Sequence, residues 1–539
     1  MSAGYSRSQV GAPPATYGLS SRLRGPGIPG KVCGCTVPDT PSVLVVCVDG
    51  GLPEVIARWG SFSSRKLGLP HPFSVVGRMA TVFPSSTAPA HASMVSGTLP
   101  SLHGIIGNRF WFGNESVGDI RNVLSNPVST LHPYRASCRL GDSVADSLRA
   151  AGARIAAVHF PSLFDERSEY FSMYSVYSPA QQLSVIIDET VPFTIFDWPY
   201  RMSVTAGRGG FTVEVTDTDD MPVWDAQIRL GSPTELLIPT PVGRFAAHVT
   251  VTGASRQEVF IFLGTGTLVL SSDDNLLGPS AAWGSSSPAP SYPGGVDDFF
   301  CETPSENWVF TTARQVIERT EPDVLFVRFN QADHAQEHLF WQAVRGAGEA
   351  AVTARNKIFS VYDAIEARVQ ELVADIGNPN LVVLTLSDHG IDYVEEHLNP
   401  NVVVEDLGLA ERAVFQGDSN IAFLYGPSLT SREVDSILQT TSCATGASRV
   451  GSAKLNKIGL PGLSPRVGRG ALLLGAHREF SYGLPGLHRT VRSASHGAGI
   501  EYPTMAAASA ITAPFELERP QRITDVRRIV EQAWIRTGP

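Results

Sequence analysis

Three apolar runs stand out along the chain, and each stops at an acidic side chain. Ser42-Val-Leu-Val-Val-Cys-Val runs into Asp49-Gly50, Asp323-Val-Leu-Phe-Val-Arg-Phe-Asn-Gln-Ala into Asp333, and Leu381-Val-Val-Leu-Thr-Leu-Ser into Asp388-His389-Gly390. The runs are short, rich in β-branched residues and free of charge along most of their length. That pattern predicts strands buried on both faces of a parallel sheet. Elsewhere the period changes. Ile358, Phe359, Val361, Tyr362, Ile365, Val369, Leu372 and Val373 recur at helical spacing and predict a helix packed on the sheet just before the strand that ends at Asp388. Asp142 to Gly152 reads as a short amphipathic helix closed by glycine, and Ala153 to Phe160 as the strand after it.

Between about 190 and 300 the texture is different. Thr212-Val-Glu-Val-Thr, Leu236-Leu-Ile-Pro, Ala247-His-Val-Thr-Val-Thr and Val259-Phe-Ile-Phe-Leu are short strands separated by turn-forming residues, and a Ser/Pro/Gly loop begins at Gly284. Together these patterns predict an α/β fold with a mostly parallel central sheet flanked by helices, a β-rich insertion and a smaller cap subdomain. The expected layout is a disordered leader (1–40), core segments at 41–190, 305–400 and 490–539, the insertion at 191–304 and the cap at 401–489. In open sheets of this kind the carboxyl ends of the strands line the ligand crevice. Asp49, Asp333 and Asp388-His389 should therefore converge, as the donors of a metal site would.

Composition narrows the function classes. With 539 residues, 43% of them hydrophobic, the chain can bury a large core. The net charge of −10, with charged residues at 17% and no basic run, argues against a nucleic-acid polymer as partner. A small anionic substrate remains compatible, because bound divalent cations would supply local positive charge. No segment has the apolar length of a signal peptide or a membrane span, so a cytoplasmic protein without membrane contact is expected. The 6 cysteines in so long a chain do not suggest a disulfide framework, and Cys33-Gly-Cys35 has the wrong spacing for a zinc knuckle.

The second chemical segment is Phe83-Pro-Ser-Ser-Thr87-Ala-Pro89, which continues through Gly97-Thr-Leu-Pro-Ser-Leu-His103-Gly-Ile105 to Asn108. Pro89 suits the first turn of a helix, placing Thr87 just before the helix start. A hydroxyl there is ordinarily a cap. The same position also offers backbone N–H groups and the positive end of the helix dipole to a phosphate. Thr87 is too weak an acid to attack unaided, and a neighbouring metal would supply the activation.

The ordered set of Asp49, Thr87, the Gly97–Ile105 motif, Asn108, Asp333 and Asp388-His389-Gly390 resembles the alkaline phosphatase superfamily. The branch it is most similar to holds the type I phosphodiesterases/nucleotide pyrophosphatases and phosphonoacetate hydrolase. The resemblance implies an alkaline-phosphatase-like core and a hydrolase of phosphate diesters or phosphonates, with Thr87 as nucleophile and Asn108 on the phosphoryl oxygens. It implies two divalent ions, zinc or else manganese. One would be held by Asp49, Asp388, His389 and the Thr87 oxygen, the other by Asp333, His338 and His496. Glu337 is the alternative to His338, because the family spaces this pair one residue closer than Asp333 and His338 stand. His488 and His477 are the fallbacks for His496. His91 is read as packing or capping within its helix, His103 as support for the loop, and Arg109 as a surface residue. Other functions open on the same core are a phosphomonoesterase or phosphomutase, and a catalytically silent ligand-binding relative. The substrate and the oligomeric state stay open.

Overall fold

The computed structural model describes residues 40–58, 76–111, 133–272 and 306–537, apart from short breaks at 166–167, 179–180, 197, 241–242, 256 and 264–265. The expected leader at 1–40 (all but residue 40), Cys33, Cys35 and the Gly284 loop lie outside the described residues.

The three apolar runs form neighbouring strands. Val43–Val48 lies between Val324–Phe329 and Val382–Leu386, parallel to both and in register, with Val43 opposite Val324 and Val382. Ile155–Val158 and Phe171–Ser178 continue the parallel part on one side. Ala507–Thr512 closes the other side antiparallel, followed by Gly77–Met79. Strand alternation sends successive residues to opposite faces. Leu44, Val46 and Val48 therefore pack with Val361, Tyr362, Ile365 and Val369 of the helix Gly348–Ile376. Val43, Val45 and Cys47 pack with Met94, Leu148 and Ile529, which come from the helices Thr87–Ser96, Val144–Ala150 and Val526–Thr537. All six strand residues are fully buried, and each such aliphatic side chain contributes roughly 1.5–3 kcal/mol over leaving it in water. A sheet apolar on both faces needs a helical layer on each, as expected for parallel strands joined by crossovers.

The helix at Val144–Ala150 starts on a capping box between Ser143 and Asp146. Antiparallel strands fill the region after 180, in two groups. Thr190–Ile195, Trp198–Gly207, Gly210–Thr216 and Pro222–Ile228 make a separate four-stranded sheet. Gln181–Ile186, Glu258–Leu263, Gly243–Ala254 and Gly266–Ser271 instead extend the central sheet beyond Phe171–Ser178, and Thr234–Thr240 pairs alongside. The aromatics Phe193 and Tyr200 sit in the core of this β region, and Phe196, Trp198 and Trp224 pack against it half-buried. Residues 414–473 add a small sheet with the order Val414–Asp418, Ile421–Tyr425, Gly470–Leu473, Ser448–Val450. Among the described residues, no helix is long and apolar enough to cross a membrane.

Candidate active site

Parallel, in-register strands end level with one another, so the residues that follow them meet. The Asp49 amide donates to the carbonyl of Phe329 at 2.8 Å, which fixes Asp49 over the neighbouring strand end. The chain then turns at Gly50, whose φ of +62° lies in the left-handed region. The Gly50 amide donates to Asp388 Oδ1 at 3.1 Å, and a β-carbon at Gly50 would stand 2.6 Å from Asp333 Oδ1. One glycine thus abuts both Asp388, just past its strand, and Asp333, which lies in the first turn of the helix Gln331–Arg345 rather than at the strand end.

Asp49, Asp388 and His389 form the first cluster, all three fully buried. His389 Nε2 is 3.3 Å from Asp49 Oδ1 and 3.3 Å from Asp388 Oδ2. Asp333, His389 and His496 form a second cluster, so His389 belongs to both. The His389 and His496 rings lie 4.2 Å apart between centroids. Asp49 Oδ1, Asp388 Oδ2 and Asp333 Oδ1 are buried without a hydrogen bond. Orphaned carboxylate oxygens facing imidazole nitrogens at this spacing are the donor set a divalent cation takes. Electrostatics agree. Burial, then the charge of Asp49, pushes the Asp333 carboxyl up to about 8. Burial raises Asp49 too, against the pull of Arg328. Burial would also raise Asp388, but His389, His91 and Arg328 overcome it and hold that carboxyl well below the usual range. Burial alone would depress His389, and the three aspartates outweigh it and raise it.

Thr87 is the first residue of its helix and Ser86 is the N-cap, so the helix begins one residue earlier than the sequence suggests. The Thr87 hydroxyl oxygen lies 3.2 Å from His389 Nε2, at the edge of the first cluster. Asn108 Oδ1 accepts from the Ala88 amide at 2.8 Å, which ties it to the same helix start. With the Ala88 amide engaged and Pro89 lacking an N–H, the helix offers a ligand fewer free amides than a bare N-terminus. His103 carries the connecting loop. Its Nδ1 accepts from the Ile105 amide at 3.1 Å and its Nε2 meets Ser93 Oγ at 2.8 Å. Burial, then Arg139 and Arg466, lowers its pKa to about 3.

Other expected residues lie apart. His338 is exposed, its ring against His334 at 5.0 Å, and the structure does not bring it to the second cluster. Glu337 does come close, with Oε1 3.8 Å from His496 Nε2. His477 stacks on Tyr393 and His488 reaches Glu396, both away from the clusters. Arg109 is exposed but lines a cavity of about 480 Å³ with Asn108, Glu337, Asp418, Glu479 and His496.

Two neighbours of the clusters, Arg328 and Asp418, escape the sequence reading, and His91, read there as packing or capping, has a further contact. Arg328 is 5% exposed, opposite Cys47 in the sheet, and pairs through Nη2 with Asp49 Oδ2. Its Nη1 donates to Tyr174 Oη at 3.1 Å. A lone arginine inside an otherwise apolar buried run was the available signal. His91 does more than pack: its Nδ1 is 3.0 Å from the Thr87 carbonyl oxygen and 3.3 Å from Asp388 Oδ2. Asp418 ends a strand of the small sheet, and its Oδ2 accepts from Ser86 Oγ and, at 2.9 Å, from the Asn108 amide. No motif marked it.

The chain matches the family model for type I phosphodiesterase/nucleotide pyrophosphatase over residues 43–449. Comparison with curated protein sequences finds no match. Among solved structures, murine ectonucleotide pyrophosphatase/phosphodiesterase 5, in an inactive variant in complex with AMP, superposes with a TM-score of 0.50 at 10% identity, covering 92% of this chain and 94% of that one. Phosphonoacetate hydrolase from Sinorhizobium meliloti 1021, in complex with phosphonoformate, gives a TM-score of 0.48 at 15% identity, covering 92% and 96%. At such identities the likeness concerns the fold alone.

Proposed function

The chain belongs to the type I phosphodiesterase/nucleotide pyrophosphatase family, a family of metal-dependent hydrolases, and from that premise we propose that it hydrolyses small phosphate diesters or phosphonates through Thr87. The observation that carries the reading is the Thr87 hydroxyl 3.2 Å from His389 Nε2, at a helix start and beside two clusters of buried carboxylates and imidazoles. Asp49, Asp388 and His389, with the Thr87 oxygen, would hold one divalent ion. Asp333 and His496, with a residue from the next helical turn, would hold the other. Zinc suits these donors, and manganese is the alternative. When bound, such ions lower the pKa of a hydroxyl and neutralise phosphoryl oxygens.

The chain's own groups do the remaining work. Thr87 Oγ adds to phosphorus and the bond to the leaving group breaks, at oxygen in a diester and at carbon in a phosphonate. The hydroxyl's proton passes to solvent, and the leaving group takes one up from solvent. This gives a threonyl phosphate ester, which water then cleaves back to Thr87. Asn108, with its Oδ1 fixed by Ala88, is oriented to present its Nδ2 donors to a phosphoryl oxygen. Such preplaced donors count most where charge develops. His91 holds Asp388 in place from behind. The substrate enters through the cavity that Asn108 and His496 line.

The test compares nitrophenol release from bis(4-nitrophenyl) phosphate and from 4-nitrophenyl phosphate by zinc- or manganese-loaded protein, with Thr87→Ala as baseline. Diester turnover should exceed monoester turnover, and Thr87→Ala should remove on the order of 10³-fold or more of kcat. Hydrolysis that survives Thr87→Ala would overturn the mechanism.

A further inference from the structure

The helix Gln331–Arg345 carries Asp333 in its first turn. Residues four apart share a helix face, so Glu337 follows Asp333 one turn further on. Both carboxylates approach one atom of one imidazole. His496 Nε2 lies 3.9 Å from Asp333 Oδ2 and 3.8 Å from Glu337 Oε1. These separations are too long for hydrogen bonds. They are only slightly wider than the roughly 3–3.5 Å that separates donors each about 2.1 Å from a shared cation. The other Asp333 oxygen is buried with no hydrogen bond, and His496 is 8% exposed. His338 is turned away by one further helical step of about 100°. It is exposed and packs on His334.

We propose that Glu337 is the third protein ligand of the second cation, with Asp333 and His496, and that this oxygen-rich set shifts the site's preference toward manganese relative to zinc. This rests on the two-ion reading above and extends it to the identity of the ion. The two sites then match in donor type: Asp49, Asp388 and His389 for one, Asp333, Glu337 and His496 for the other. Carboxylates favour harder ions than imidazoles do, although zinc keeps the higher absolute affinity in either set. The signature is therefore the zinc-to-manganese affinity ratio. Glu337 also lines the cavity next to Asn108 and His496, so an ion bound there would stand where a substrate's oxygens arrive.

The experiment counts bound metal per chain, by elemental analysis after equilibration with manganese or zinc chloride, and measures both affinities by calorimetry. The parent should bind two ions and, with manganese, show the paramagnetic resonance spectrum of a coupled pair. Glu337→Gln should bind one ion and lose the coupling. Glu337→His should keep two, with the zinc-to-manganese ratio at the second site raised about tenfold or more. His338→Ala should behave as the parent does. Thermal melts confirm that each variant is folded. Two ions in Glu337→Gln with an unchanged ratio, or one ion in His338→Ala, would overturn the assignment of Glu337 while leaving the two-ion hydrolase intact. A parent that binds no ion at all would overturn the underlying reading, and this one with it.

Discussion

Arg328 is a full positive charge held inside the sheet against Asp49, a residue with a quite different expected task. Burial works against both charges, and for Arg328 the charge of Asp49 outweighs it and raises the guanidinium pKa. In metal-free protein Arg328→Met leaves Asp49 buried without its cation, an arrangement that costs about 3–5 kcal/mol. The variant should melt well below the parent at pH 8, and added manganese should recover much of the loss. Equal melting points without metal would show that the pair carries no weight. His103 makes a separate prediction. Its pKa, lowered to about 3 by burial and by Arg139 and Arg466, means that the unfolded chain takes up its proton first as pH falls. Its stability contribution is complete above about pH 6.5 and declines toward pH 3, by at most about 1.4 kcal/mol per unit. Denaturant midpoints measured from pH 7 to 4 should fall more steeply for the parent than for His103→Gln, and parallel curves would refute this. Much of the site at this scale was legible, because Asp49, Asp388 and His389 end apolar runs and a strand end is a predictable place. His338 against Glu337 was not settled by spacing alone. In the structure Glu337 rather than His338 stands near His496, which is what the proposal for Glu337 rests on.

At the scale of elements, the strand-to-turn junction at Gly50 explains why the acidic ends can lie so close. Its amide holds Asp388, and its carbonyl accepts from Gln336 Nε2 at 2.9 Å, on the helix that carries Asp333. A β-carbon would meet Asp333 Oδ1 at 2.6 Å and Asp333 Cβ at 2.9 Å, in a backbone conformation that already disfavours side chains. Gly50→Ala should cost about 1–3 kcal/mol through strain and overpacking. It should also weaken binding at the Asp333 site more than at the Asp388 site, as manganese titration would read. Equal loss at both sites would count against this account. The strands and long helices were legible because period and burial coincide: the Ile358–Val373 stripe lies inside the helix Gly348–Ile376. The partition of the antiparallel strands was not. Thr190–Ile195 and Glu258–Leu263 have similar texture, yet the first joins a separate sheet and the second extends the central one. Which sheet a strand joins depends on partners distant in sequence, and alternation along one strand does not encode that.

Over the whole molecule, the proposed site is assembled from segments that are remote along the chain. The strand before Asp49 takes its two neighbours from around residues 324 and 382, and His496 follows a strand that pairs with Asp392–Leu398. Asp418 reaches back to Ser86 and Asn108, so the small sheet is joined to the helix start that carries Thr87. Motifs in the sequence suggested the stations of this proposed arrangement but not the bridge from Asp418, since a lone aspartate at the end of a short strand has no local signature. The spread also gives the site a history during synthesis. Asp49 leaves the ribosome well before His496, and at typical elongation rates the interval is on the order of tens of seconds. Until Asp388-His389 has been made, the central strand lacks its second neighbour and Asp49 lacks His389, and the second cluster stays incomplete until His496 follows. A growing chain therefore cannot bring the two proposed clusters together until His496 has been made.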